Sequence, residues 1–167
     1  AIGAGAGQDV VGESNVLIGR YAGFDAGDID NCIGIGRDAL RGDGSTAPTG
    51  NNNIAIGNYT LDATTSGNAN VAIGYQAGSA INTGASNVLI GHAVAPLMTD
   101  NTFNVAIGYG AMADANGGES SNIAIGYGTL ANEVSGSDGC VAIGHAALED
   151  QNVANANNTA IGYHAAL

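Results

Sequence analysis

The chain has 167 residues, of which 28 are glycine, and it contains neither tryptophan nor lysine. Three arginines stand against fifteen acidic residues, so the formal net charge is −12, which argues against binding to nucleic-acid phosphates or to an anionic membrane surface. Large aliphatic residues are few, which predicts a thin, elongated core rather than the core of an ordinary globular domain.

An Ile-Gly pair recurs along the chain and sets the register of everything between its copies. The glycines that close these pairs, called marker glycines below, are separated by 16, 17, 21, 17, 17, 17, 18, 18 and 18 residues. Such self-similarity is typical of repeat architectures, and the unit is too short for a pair of helices. We therefore predict an all-β solenoid of about ten coils, one per repeat, that forms one domain over residues 1–167. The marker glycines are Gly3, Gly19, Gly36, Gly57, Gly74, Gly91, Gly108, Gly126, Gly144 and Gly162.

Before each marker glycine, valine or isoleucine alternates with small residues, as in Asn70-Val-Ala-Ile-Gly74. An alternation with a period of two predicts a short β-strand. We expect Val71 and Ile73 to face the inside of the coil, and Asn70, Ala72 and Gly74 to form the opposite, flat face. The asparagines should form a structural column along the solenoid, made of Asn15, Asn53, Asn70, Asn87, Asn104, Asn122 and Asn158.

The flat face of Asn, Ala and Gly would let a second backbone approach closely. Its natural partner is the same face of an identical chain, so we expect a closed cyclic oligomer, with a homotrimer as the leading arrangement. Ten stacked coils would form a rod roughly 45 Å long. Because the chain opens on one repeat and closes just after another, we expect it to be a segment of a longer fibre.

The repeats resemble those of two known groups of proteins. Asn158-Thr-Ala-Ile-Gly-Tyr-His-Ala-Ala-Leu167 and Asn70-Val-Ala-Ile-Gly-Tyr-Gln-Ala77 are similar to the head repeats of trimeric autotransporter adhesins, and more so to the Asn-x-Ala-Ile-Gly-Tyr arrays of bacteriophage tail fibres. The resemblance implies a left-handed parallel β-roll that assembles as a trimer and serves as a stalk or head in surface attachment. The longer period of this chain, compared with adhesin heads, favours a viral fibre or another extracellular filament.

These observations predict a structural segment of a trimeric attachment protein, located outside the cell, on a virion fibre or on a cell surface. Its expected partners are copies of itself and a host glycan or receptor, with no nucleic acid and no membrane insertion. The alternative is a solenoid module that binds a glycan or another ligand. Ice binding is less favoured, because it would require exposed columns of threonine instead of Asn, Ala and Gly.

Flat side chains directly follow most marker glycines. They could form an aromatic stripe that stacks on sugar rings, or a ladder of rings that stack on one another and stabilise the rod, which is the interpretation we favour. The candidates for this stripe are Tyr75, His92, Tyr109, Tyr127, His145 and Tyr163.

The remaining motifs offer little chemistry. No nucleophile elbow, zinc-protease helix or lysine-bearing phosphate loop is present in the sequence, so we predict no enzyme activity, no cofactor and no metal site. We interpret Arg41-Gly42-Asp43 as a chance turn sequence rather than an integrin ligand. Cys32 and Cys140 lie six repeats apart, on the order of 29 Å at the spacing of strands, which is too far for a disulfide.

Overall fold

The computed structural model describes residues 1–46, 48–116, 118–132, 138–150 and 157–166. In these ranges nine three-residue strands form one parallel sheet in chain order, and no helix is present. The sheet belongs to a β-solenoid of about eight turns, which confirms the predicted solenoid; in place of a tenth strand, Ile2 forms an isolated bridge to Ile18. The strands are β1 (Val16–Ile18), β2 (Ile33–Ile35), β3 (Ile54–Ile56), β4 (Val71–Ile73), β5 (Val88–Ile90), β6 (Val105–Ile107), β7 (Ile123–Ile125), β8 (Val141–Ile143) and β9 (Thr159–Ile161).

Each strand pairs residue for residue with the strand of the next coil, so equivalent positions stack in columns. In β4 and β5, Val71 lies opposite Val88 and Ile73 lies opposite Ile90. Backbone hydrogen bonds between coils continue outside the strands, as from Gly78 N to the Val94 carbonyl at 2.9 Å. Nine strands at a spacing of about 4.8 Å make a sheet about 38 Å long.

The strands turn their central residue inward and their two β-branched residues outward; the central residue is alanine in six strands, leucine in β1 and β5 and glycine in β2. Ala72 in β4 is fully buried, whereas Val71 and Ile73 on either side of it are partly exposed. Asn70 is fully buried as well. The expectation that Val and Ile face the inside of the coil is therefore wrong, and the face of Asn, Ala and Gly is not available for self-association. Asparagine can point inward because the neighbouring coils supply hydrogen-bond partners for its amide, and the alternation of the strand then directs Val and Ile outward.

Asparagines form a hydrogen-bonded ladder through the rod; of the predicted column, the five from Asn53 to Asn122 are fully buried, Asn15 is half-buried and Asn158 is exposed. The Asn87 Oδ1 atom accepts hydrogen bonds from the backbone N of Asn104 at 2.9 Å and from its Nδ2 at 3.2 Å. The Asn87 Nδ2 atom donates to Asn70 Oδ1 at 3.0 Å and to the Asn101 carbonyl at 2.8 Å. Both donors and both acceptor positions of the amide are thus used, and this offsets the cost of burying it.

Cys32 takes the place of an asparagine in this ladder. Its backbone N donates to Asn15 Oδ1 at 2.9 Å, and its sulfur accepts a weak hydrogen bond from Asn53 N at 3.4 Å. Burial raises the pKa of the Cys32 thiol, so the neutral form is favoured. Cys140 is also buried, and neither cysteine is in a disulfide, as predicted from their separation.

The interior is filled by pairing residues of opposite size on the strand and on the return segment, defined as the second to sixth residues after a marker glycine. A Cβ atom added to Gly78 would lie 2.7 Å from Leu89 Cδ1, so the large residue in β5 requires a small one in the preceding return segment. In five coils with a small strand centre, a large side chain of the return segment is buried as well, whereas the coil of Ala72 has Gly78 at this position. Such pairs are Gly34 with Leu40, Ala55 with Leu61, Ala106 with Met112, Ala124 with Leu130 and Ala142 with Leu148.

The marker glycines are required by the close stacking of coils. Gly74 has a φ of 135°, and a Cβ atom built on it would lie 2.1 Å from the carbonyl oxygen of Gly91 in the next coil. A side chain at this position would be strained in its backbone and would also collide with backbone atoms that cannot move independently. This explains why a glycine directly follows the strand in each coil.

The ladder predicts the effect of removing one rung. Asn87→Ala would leave the backbone N–H of Asn104 and the carbonyl of Asn101 without these partners inside the rod. Each such group costs about 1–3 kcal/mol when left unsatisfied, so we expect a fall of at least about 2 kcal/mol in the free energy of unfolding. Equilibrium urea denaturation measures this change. Asn68→Ala, at an exposed position, is the control and should leave the midpoint unchanged; equal midpoints for both variants would contradict the ladder.

Candidate functional site

Six aromatic rings form a stack along the outside of the rod. They follow the marker glycines of successive coils, where the in-register sheet brings them to the same side of the solenoid. His92 lies between Tyr75 and Tyr109, with ring centroids 5.1 Å away on each side. The centroid separations along the stack, from Tyr75 through His92, Tyr109, Tyr127 and His145 to Tyr163, are 5.1, 5.1, 5.3, 4.9 and 5.1 Å.

The rings meet face to face. Tyr109 and Tyr127 are inclined by only 7°, and His92 and Tyr109 by 10°. Each inner ring therefore has both of its faces covered by its neighbours and presents its edge to solvent. A sugar that stacks on an aromatic residue requires an open ring face, so the interior of this stack favours the ladder interpretation over the sugar-binding stripe.

The stack changes its geometry at its beginning, because the preceding coil has Asn58 where the later coils have a ring. Tyr59 instead projects from the next position, where it adopts a φ of 57°. Its ring lies 6.0 Å from that of Tyr75 and nearly perpendicular to it, at 87°. The guanidinium of Arg37 lies 4.5 Å above the Tyr59 ring and donates a hydrogen bond to its hydroxyl.

A groove of about 480 Å³ opens beside these two perpendicular rings. Its lining comprises Tyr59, Tyr75, Asp62, Gln76 and Ser79, with two alanines between them. Ser79 Oγ donates to the Pro96 carbonyl at 3.3 Å. The side-chain amide of Gln76 forms no hydrogen bond with another described residue. The volume lies in the range of ligand-binding clefts, as does that of a groove of about 390 Å³ lined by Glu13, Asp28 and Asp30. The two aromatic rings make the groove at Tyr59 and Tyr75 the candidate site.

The Asp62 carboxyl in this groove has an unusual environment. Burial raises its pKa to about 6, and the nearby negative charge of Asp38 adds to the shift, while a hydrogen bond from its own backbone and the charge of Arg41 act in the opposite direction. Arg41 is engaged elsewhere, since its Nη1 lies 3.6 Å from Asp38 Oδ1 and its Nε lies 3.9 Å from Asp25 Oδ2. Asp62 is therefore the carboxylate of this cluster without an ion pair among the described residues.

The Arg41-Gly42-Asp43 tripeptide is held within the chain. Arg41 takes part in the ion pairs described above, and Asp43 accepts hydrogen bonds at 2.9 Å from the backbone nitrogens of Ser45 and Thr46. These hydrogen bonds hold the pKa of Asp43 below its ordinary value. The contacts are those of a turn, and both side chains are exposed.

A second polar feature that the sequence did not indicate lies inside the rod. Glu119 and Asn101 are both fully buried, three residues before an asparagine of the ladder, where earlier coils have Gly67 or Gly84. The Asn101 Nδ2 atom donates a hydrogen bond to Glu119 Oε2. The pair extends the buried polar network, and we assign it a structural role.

Further properties of the described residues bear on the function. They contain no helix long and apolar enough to cross a membrane. They also bring together no group of three or more His, Cys, Asp or Glu side chains that could hold a metal ion. Comparisons with protein-family models, with curated proteins and with solved structures gave no match.

The ring stack predicts the effect of removing one ring. Tyr109→Ser removes contacts with His92 and Tyr127, each worth about 0.5–1.5 kcal/mol between aromatic pairs. We expect a loss of about 1–2 kcal/mol of unfolding free energy, measured by urea denaturation. Tyr109→Phe keeps the ring and should retain the stability of the parent protein. If both variants unfold like the parent, the stack does not stabilise the rod.

The raised pKa of Asp62 predicts a pH-dependent stability. Because the folded protein holds this proton with a pKa of about 6 against an ordinary value of 3.8, the contribution of Asp62 to stability declines as pH rises through that interval. Asp62→Asn should therefore melt at nearly the same temperature as the parent at pH 4 and at a higher temperature at pH 7. Thermal melts of both proteins across this range test the sign. A variant that is less stable than its parent at pH 7 would contradict it.

Proposed function

We propose that the protein is a structural segment of a trimeric fibre outside the cell, on a virion or on a cell surface, and that it associates with copies of itself through the outer face of its sheet. The observation that carries this proposal is the pair of Val/Ile columns on that face. We call this surface the outer sheet face and define it by the first and third residues of strands β1 to β9.

The outer sheet face is apolar over the length of the sheet. Val16 is 44% exposed, Ile18 37% and Ile123 36%, and the other β-branched residues between β1 and β9 are also partly exposed. The nine strands contain no charged residue, although the chain carries a net charge of −12. Extended apolar surface of this kind is typical of a protein–protein interface.

The shape of this face favours an identical partner. It is about 38 Å long and only about 7 Å wide, two residues apart along each three-residue strand. A partner must match a long, narrow and flat stripe of branched side chains, and the same stripe on another copy does so. Three copies would place three such stripes around one axis and cover them from solvent, which agrees with the trimer that the family resemblance implies.

The acidic remainder of the surface supports an exposed, extended role. Glu119 and Asp38 are buried; the exposed acidic residues keep a rod of this kind soluble and oppose association through surfaces other than the uncharged face. The alternative of a module that binds sugars along the aromatic stripe is less favoured, because the inner rings cover one another's faces. Attachment to a host surface would then depend on features outside the regular columns.

The proposal is tested by the size of the particle in solution. Light scattering coupled to size-exclusion chromatography should give three times the chain mass of 16.3 kDa. The double variant Ile90→Lys and Ile107→Lys places charges on the outer sheet face of neighbouring coils and should dissociate the trimer. Leu97→Lys, at a residue that is 46% exposed outside the strands, is the control and should remain trimeric. A monomeric parent protein, or a double variant that remains trimeric, would overturn the proposal.

A further inference from the structure

We propose that the groove beside Tyr59 and Tyr75 binds an alkylammonium group, with the two rings as its walls and Asp62 as its counter-charge. This inference concerns a surface outside the strands and does not depend on the assembly of the fibre. It deals with the chemistry of small cationic ligands, such as a trimethylammonium head group or the protonated amine of an amino sugar.

The arrangement of the Tyr59 and Tyr75 rings is the first observation that supports this proposal. One face of Tyr75 stacks on His92 at 5.1 Å, and one side of Tyr59 is covered by Arg37 at 4.5 Å. The two rings stand nearly perpendicular to each other, at 87° in an edge-to-face arrangement, and both line the groove. A compact, roughly spherical cation in this groove can contact both tyrosines, and the electron-rich faces of aromatic rings attract such cations. A flat sugar ring, in contrast, stacks on one face only.

The charged side chains near the groove are the second observation that supports a cationic ligand. Arg37 Nε lies 3.5 Å from Asp38 Oδ2, and Arg41 contacts both Asp38 and Asp25. Arg20 also interacts electrostatically with Asp38, so the two paired carboxylates are surrounded by three guanidinium groups. None of these arginines forms an ion pair with Asp62 among the described residues, and the negative charge that lines the groove is that of Asp62. A bound cation would neutralise it, and the acidity of the whole chain would favour the approach of a cation over that of an anion.

The remaining lining fits the same ligand class. The Gln76 side-chain amide can donate to a hydroxyl or ether oxygen carried next to the ammonium group, as in choline or in an amino sugar. Ser79 Oγ, whose hydrogen is donated to the Pro96 carbonyl, can accept a hydrogen bond from a ligand hydroxyl. The chain itself shows the interaction twice in neighbouring coils, since Arg20 lies 4.7 Å above the Tyr21 ring and Arg37 lies 4.5 Å above that of Tyr59. Tyrosine faces at this end of the rod therefore already accommodate cations.

The test is a titration followed by NMR chemical shifts of the backbone amides, at constant ionic strength and constant pH 7.0, where the amine of glucosamine is mostly protonated and Asp62 is mostly ionised. Two matched pairs of probes differ mainly in charge: choline against 3,3-dimethylbutanol, and glucosamine against N-acetylglucosamine. We expect saturable shifts at Tyr59, Asp62 and Gln76 with at least one of the two cations, and none with either neutral partner. Choline alone would assign a quaternary ammonium site, and glucosamine alone an amino-sugar site.

Two substitutions of aspartate by asparagine test whether the cation binds at Asp62. Asp62→Asn should weaken the binding of the cation at least fivefold, while Asp114→Asn makes the same change of charge at an exposed position of another coil and should leave binding unchanged. Equal shifts with the cation and its neutral partner would overturn the proposal in favour of an apolar or sugar-binding groove. It would also be overturned if neither cation produced saturable shifts, or if both variants weakened binding equally. The comparison of charged and neutral probes on the parent protein holds even if Asp62→Asn fails to fold.

Discussion

The buried asparagine amide is the interaction on which the rest of this structure depends. An amide inside a protein is tolerated only when its donors and acceptors are satisfied, and in this rod the coils above and below supply the partners. Asn87 bonds to Asn70 on one side and to Asn104 on the other, so no rung is complete without its neighbours. Register, spacing and cooperation between coils follow from this requirement, because a slip of one residue would break every rung at once.

This inward polar column determines what is left for the outside. With Asn and Ala in the hollow of the coil, the alternation of a strand directs Val and Ile to solvent. The apolar surface that normally forms a core thereby becomes the outer sheet face, which is suited to contact with another chain. The same in-register stacking places Tyr75, His92 and Tyr109 about one strand spacing apart, so the rings contact each other. The ladder, the outer face and the ring stack are thus three consequences of one repeat.

The solenoid could be predicted from the sequence because the spacing of Ile-Gly pairs identifies stacked coils without any knowledge of side-chain direction. The direction of the side chains could not be predicted in this way. The positions of Val71 and Ile73 and the positions of Asn70 and Ala72 both recur regularly, on opposite sides of the strand. The usual preference for apolar cores predicts that Val and Ile face inward, which is wrong here. The hydrogen bonds that satisfy the asparagine amides form only between stacked coils. The groove at Tyr59 was beyond prediction for another reason. It arises where Asn58 interrupts the ring column, and it depends on Asp62 lying near Tyr75 of the next coil.

The most direct test of this account is hydrogen exchange of the asparagine side-chain amides, followed by NMR. If the asparagines are rungs inside the rod, the Nδ2 protons of Asn70, Asn87 and Asn104 should exchange with solvent as slowly as the backbone amides of the strands that follow them. Asn68, at an exposed position, should exchange rapidly in the same experiment. Side-chain exchange at Asn87 as rapid as that at Asn68 would contradict the ladder and the inward orientation of the whole column.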